Sequence, residues 1–173
     1  AMERLIESIG GSGEVVVVNA LAGIPSNDAR GQGAEEYAAT VDGITVLPQQ
    51  HCLDQAEAMT ATENVIIGNP NLKGIFATFN RGALGAAQAI VSKGKAGEIV
   101  AFDADADEIK LLEDGTIDAL VVQQPYEMGK IGIEYAVKAL NGEEVPKTVA
   151  PEVVIATKDN MNDEAIHKVL YPK

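Results

Sequence analysis

Short runs of β-branched residues alternate along the chain with longer stretches in which apolar side chains recur every three or four positions. The runs predict strands at Glu14 to Asn19 (EVVVVN), Ile44 to Leu47, Gly74 to Thr78, Glu98 to Phe102, Ile117 to Val122 and Val153 to Ala156. The stretches predict helices at Met2 to Ile9, Asp28 to Thr40, Asp54 to Ile67, Gly82 to Ser92, Ala106 to Glu113 and Tyr126 to Leu140, with a frayed turn near Asn162 to Val169. Strands that are apolar nearly throughout need helices over both of their faces. Strand alternating with helix then gives the α/β class, a doubly wound, mostly parallel sheet of five to six strands.

Such sheets bind ligands at the carboxyl edge of their strands, where the turns into the helices converge. Candidate residues are therefore sought just after each strand, in Ala20 to Arg30, Gln49 to Asp54, Thr78 to Gly82, Asp103 to Asp107 and Gln123 to Tyr126. The glycine-rich GGSGE, Gly10 to Glu14, precedes a strand and has no Lys-Ser/Thr after it, so it reads as a helix-ending turn and not as a phosphate loop.

The chain has 173 residues, enough for one domain with a real core. Its formal charge of −13 with no local Lys/Arg cluster argues against nucleic acid and anionic membranes as partners. No apolar run is long enough to cross a bilayer, and no signal peptide is expected within this chain. One cysteine, Cys52, cannot form an internal disulfide, and with His51 it makes a two-ligand fragment in a loop, short of a structural zinc site. With both histidines away from any nucleophile, no catalytic group, metal or cofactor is expected.

AFDADADEI, Ala101 to Ile109, places aspartates at alternate positions, as a calcium loop does. Counted from Asp103, however, the sixth position is Glu108 instead of glycine and the twelfth is Asp114 instead of glutamate, and an apolar strand leads in. The triplet divides better by task. Asp105 and Glu108 have the spacing of a capping box, and Asp107 suits the positive end of a helix. Asp103 is left facing the sheet edge, where a carboxylate can accept two hydroxyl hydrogen bonds from a sugar. Arg30, read in the first turn of its helix, offers a planar fork for a ring oxygen or carboxylate, or pairs with an acid at the surface. Gln123 offers donor and acceptor at a strand end, and Phe79 an aromatic face that either stacks on a sugar or packs into the core.

The segments GIFATFNRGALGAAQAI, EIVAFDADADEIKLLEDGTIDALVVQQPYEMG and ATKDNM resemble the ribose-type sugar-binding proteins of bacterial ABC transporters, the type I periplasmic binding proteins, whose fold LacI/GalR-type repressors share. The resemblance runs over nearly the whole chain and implies that residues 1–173 form one flavodoxin-like lobe, the carboxyl-terminal one, of a two-lobe protein with its ligand between the lobes. It implies a monosaccharide ligand, a membrane permease as partner and a periplasmic or extracytoplasmic location for the parent protein. Arg30, Asp103 and Gln123 match polar ligand-contacting positions of the family. Leu53 stands where an aromatic often stacks on the sugar, and Phe79 where an asparagine often bonds a hydroxyl. Asn80 and Arg81 replace an Asp and a varied residue of the usual FATND, so the implied set of Arg30, Asp103, Gln123, Phe79, Leu53 and Asn80 fits either a different ligand or a lobe with weak or lost binding. The alternatives are a repressor effector lobe, against which the acidity and the TKDN block speak, and a stand-alone flavodoxin-like scaffold.

In that family the segment 126–146 visits the other lobe. Here Glu127, Lys130, Glu134, Lys138 and Asn141 form one polar stripe and leave Met128, Ile131, Ile133, Tyr135, Val137 and Leu140 on a broad apolar surface. Two outcomes are expected for such a surface: the helix folds back on its own sheet, or it docks on a second copy as a homodimer through 126–140. Gln124, Pro125, Gly129 and Gly132 permit a short re-entry and favour the first.

Overall fold

A computed structural model describes residues 1–95 and 97–171. Its elements are α1 Met2–Ser8, β1 Gly13–Ala20, α2 Pro25–Ala38, β2 Ile44–Val46, β3 Gln50–Cys52, α3 Gln55–Gly68, β4 Leu72–Ala77, α4 Asn80–Lys93, β5 Glu98–Phe102, α5 Ala106–Asp114, β6 Ala119–Val122, α6 Pro125–Leu140, β7 Val154–Thr157 and α7 Glu164–Leu170. The sheet runs β2-β1-β4-β5-β6-β7, with β3 also on β1, and only the β6–β7 pairing is antiparallel.

Side chains of one strand alternate between faces, and β1 shows how two cores follow from that. Val15 and Val17 pack with Leu5 and Ile6 of α1, Ala34 and Ala38 of α2, and Phe76 and Val100 of the neighbouring strands. Val16 and Val18 pack on the opposite face with residues of α3, α4 and α5, among them Ile66, Ala86 and Leu112. All four valines are fully buried, so the run has no polar alternation to display. As expected from Gly10 to Gly13, the chain leaves α1 through two glycines at positive φ, and Gly11 N–H closes the helix end on Ile6 O at 2.8 Å.

The strand count is a correction. The expected five to six strands are seven, because the residues after Pro48 re-pair with β1 as β3 instead of forming a loop. A three-residue strand carries too little periodicity to be read from sequence. His51 and Cys52 therefore lie in a strand. Cys52 is buried, and His51 Nδ1 lies 2.9 Å from Ala20 O.

The second correction concerns α6. It does not fold back on its own sheet: none of its residues is buried, and Tyr126, Ile133 and Leu140 are 80%, 70% and 87% exposed. The excursion is nevertheless firmly rooted, since Val122 pairs with Val154 in the β6–β7 ladder and Gln124 Nε2 donates to Glu152 O at 2.9 Å.

At the amino edge of the sheet, the Glu98 carboxyl stands beside Asp118. The hydrogen bond that protonated Glu98 donates to Asp118, together with burial and the Asp118 charge, pushes the Glu98 carboxyl up to about 7, against the opposing charge of Arg4. The folded state thus holds a proton that the unfolded chain releases near the ordinary glutamate value. Its stabilisation is complete below about pH 4.5 and is lost as the pH rises through about 7. Urea unfolding should therefore show stability falling between pH 5 and 8 by about 1 kcal/mol, solvent screening of this partly exposed pair taking up the rest of the shift, with Glu98→Gln removing most of this pair's share of the slope.

Packing of α3 on α4 rests on a missing side chain: a Cβ on Gly85 would lie 2.5 Å from Gln55 O and 2.7 Å from Ala58 Cβ. Gly85→Val should destabilise the fold by about 3 kcal/mol or more in denaturant unfolding, whereas Gly33→Ala, where a Cβ meets nothing within 4 Å, should be neutral or slightly stabilising.

Candidate functional site

The carboxyl edge is built on a buried polar floor. Asn19, at the end of β1, is 1% exposed, and its Oδ1 accepts from Ala20 N–H at 2.9 Å and from the Thr78 hydroxyl at the end of β4. Its Nδ2 donates to Gln49 Oε1 at 3.0 Å, which ties in the segment leading to β3. Thr78 O in turn accepts from Arg30 Nη1 at 2.8 Å.

Arg30 is thereby fixed. Nη1 also donates to Asn27 Oδ1 at 3.2 Å, and the guanidinium lies over the Phe102 ring at 3.7 Å, a cation–π distance. Burial pulls its pKa below the ordinary arginine value, and the charge of Asp103 opposes that. Because α2 begins at Pro25, Arg30 sits in the second turn and not, as expected, in the first; proline at the first helical position starts the helix earlier than the polar pattern shows.

Asp103, directly after β5, is the only non-glycine with positive φ among the described residues, at 86°. Its N–H is held by Val121 O at 3.0 Å, and its Oδ1 accepts from Gln123 Nε2 at 2.6 Å. A side chain in the left-handed region is strained, and with this backbone the residue lines the cleft at the sheet edge. Asp105 and Glu108 make the expected capping box, with Glu108 Oε2 accepting from Asp105 N–H at 3.1 Å. Asp107 faces outward and pairs with Lys110. The three aspartates do not converge, and among the described residues no group of three or more His, Cys, Asp and Glu could hold a metal ion.

Between these turns lies a cleft of about 400 Å³. Leu53, Phe79, Asn80 and Asp103 line it, so four of the six expected residues come together. Gln123 enters only through its bond to Asp103. Arg30 lines an adjoining hollow of about 270 Å³ with Phe102, Tyr37 and the start of α1, and reaches the cleft through Asn27. Leu53 is 57% exposed, its N–H held by Glu57 Oε2 at 2.8 Å while Asp54 caps α3. Phe79 is half-buried against the core, as one of its two expected uses requires, and it also borders the cleft, where Gly82 leaves room for its ring edge. Asn80 Nδ2 donates to Asp105 Oδ2.

Sequence reasoning did not single out Ala20, Leu21, Ile24 and Asn27, which also line the cleft, and named Arg81, another lining residue, only as a departure from FATND. Leu21 and Ile24 lie in the turn that had been marked for search, and their signal was apolarity in a stretch otherwise made of small and polar residues. Cys52 lines the cleft as well, and burial, with Glu57 and Asp54 nearby, pushes its thiol pKa up and away from a reactive thiolate.

A family model described as "Periplasmic binding protein domain" matches residues 1–144. The D-allose-binding periplasmic protein of Escherichia coli (strain K12) is 32% identical over 153 residues, covering 86% of this chain and 49% of that protein. The ribose import binding protein of Bacillus subtilis (strain 168) is 29% identical over 154 residues, covering 89% and 50%. Among solved structures, an ABC transporter solute binding protein from Agrobacterium vitis, bound with alpha-D-tagatopyranose, superposes with a TM-score of 0.92 at 31% identity, covering 99% of this chain and 59% of that one. The chain spans about half the length of the curated relatives it matches.

The strain at Asp103 can be measured. Asp103→Ala and Asp103→Gly delete the same carboxylate, but only glycine accepts the backbone, so the glycine variant should be the more stable by about 1 kcal/mol in urea unfolding. Equal stabilities would mean that the positive φ costs nothing.

Proposed function

Because the chain belongs to the periplasmic binding protein domain family, we propose that it supplies one lobe of a monosaccharide site, in the manner of the solute-binding component of an ABC sugar transporter. The observation that carries this reading is the strained Asp103. Its Oδ1 is committed to Gln123, so Oδ2 is left to accept sugar hydroxyls at the mouth of the cleft. Phe79 supplies an aromatic face on the same cleft, and Asn80 a polar side chain beside it. Leu53 offers only aliphatic contact, so the stacking face has moved from one turn to the next.

The polar groups are held before any ligand arrives. Arg30 is pinned by Thr78 O and Asn27, and Gln123 by Asp103, which lowers the ordering cost of binding. A single lobe still leaves much of a ligand in water, so affinity for the isolated chain is low on area grounds. In the whole protein we infer a membrane permease as partner and the periplasm as compartment, the latter as the name of the allose-binding relative states for that protein.

Isothermal titration of ribose, allose and tagatose should detect at least one with a Kd on the order of millimolar for this chain, and tighter binding once a second lobe is restored. Asp103→Ala should weaken that binding by roughly tenfold or more, the size of a charge-assisted hydrogen bond. Absence of binding by both the chain and the two-lobe form would overturn the sugar reading.

A further inference from the structure

Behind the wall of the cleft lies a carboxyl group that the proposed sugar site does not use. Glu108 is 0% exposed. Its Oε2 completes the capping box on Asp105 N–H, and its Oε1 has no hydrogen-bond partner. The charged groups that face it are both acids, Asp105 at the start of its own helix and Asp103 at the end of β5. From α4 it meets the side-chain amide of Asn80. A buried carboxylate with a bare oxygen and two acids for neighbours is strongly disfavoured, and the group accordingly keeps its proton up to about pH 7, chiefly through burial.

The amide of Asn80 is the link to the cleft. It carries two N–H donors. The structure commits one N–H of Nδ2 to Asp105 Oδ2 and the residue lines the cleft, while the second N–H lies within reach of Glu108, near enough to pull its pKa down, without closing a bond on Oε1. While Glu108 is protonated, that second donor is available to a ligand hydroxyl. Once Glu108 ionises, its bare Oε1 needs a donor, and Asn80 is the uncharged side chain already in reach.

We propose that Glu108 is a positioning residue of the cleft, drawing the second N–H of Asn80 away from the ligand when it gives up its proton and releasing it when it regains one. The proposal rests on the sugar-site reading for its consequence, but the Asn80–Glu108 coupling exists with or without a ligand. Binding is then favoured on the acidic side of neutrality and weakens as the pH rises. The carboxyl of Glu108 touches no ligand itself and acts through Asn80.

Two measurements on the full chain test it. The first follows the side-chain amide of Asn80 by 15N NMR from pH 5.5 to 8.5 without ligand. Its signal should move with a midpoint near 7, and Glu108→Gln, which keeps the capping geometry, should make it flat. An amide that is flat in the parent chain, or that still titrates in E108Q, overturns the proposal. As a check that does not depend on how E108Q folds, the 13C-detected midpoint of Glu108 should rise in Asn80→Ala, because the donor to the ionised form is gone; an unchanged midpoint also overturns it. The second measurement titrates D-allose at pH 6 and pH 8. Affinity should fall about fivefold, the worth of one hydrogen bond, and E108Q should remove the dependence, whereas pH-independent binding in the parent chain counts against the proposal. Should D-allose bind at neither pH, the choice of sugar fails, and the amide titration alone decides the role of Glu108.

Discussion

The carboxyl edge hangs on one buried amide. Asn19 closes β1 in the middle of an apolar sheet, where an unpaired polar group would be costly, and each of its groups finds a partner on a different segment. Through Thr78 it fixes the end of β4, through Gln49 the approach to β3, and Thr78 O then receives Arg30. Gly31 is the counterpart on α2: a Cβ there would lie 2.6 Å from Asn19 Nδ2. Helix and strand ends approach so closely because one residue has an amide and the other has no side chain. The relative placement of Arg30, Phe79 and Asp103 follows from that contact, since the turns carrying them leave from strands that Asn19 and the sheet ladder hold in register.

What remains for a ligand is decided by how each helix start is satisfied. Asp54 caps α3 and Asp105 caps α5, so the acids there are occupied by backbone amides. Their negative charge is local and structural. Asp103 differs because the backbone before α5 takes a left-handed turn ahead of the cap, leaving its carboxylate outside the capping geometry. The same nine-residue stretch thus yields a cleft-lining acid, a cap, a surface acid and a buried acid, and the four are separated by backbone direction and burial, not by residue type.

That division explains why the sequence was legible where it was. The unbroken apolar run of β1, the cap spacing from Asp105 to Glu108 and the acid left over at Asp103 are local patterns, and each is found in the structure. β3 was not legible, because its three residues pair with a strand thirty residues away and carry no periodicity of their own. Leu21 and Ile24 were passed over for the opposite reason: an apolar residue in a turn reads as ordinary surface until four turns are brought together around one cleft. The apolar surface of α6 was plain in the sequence, but whether the sheet beneath would accept it depended on space already filled by α1 and α2.

The open cleft and the uncovered α6 are linked by topology. The excursion that carries α6 leaves the sheet at Gln123 and returns at Val154, and the pairing of Val122 with Val154 puts both stems at the edge where Asp103 and Gln123 meet. Gln124 clasps the two stems together through Glu152 O. A partner on the exposed face of α6 would therefore be tied, through these stems, to the rim of the cleft. Covering the helix would bury apolar surface, and enclosing the ligand would strengthen the hydrogen bonds to Asp103 by excluding solvent. Because the two events share a pair of stems, the free energy of one would be available to the other.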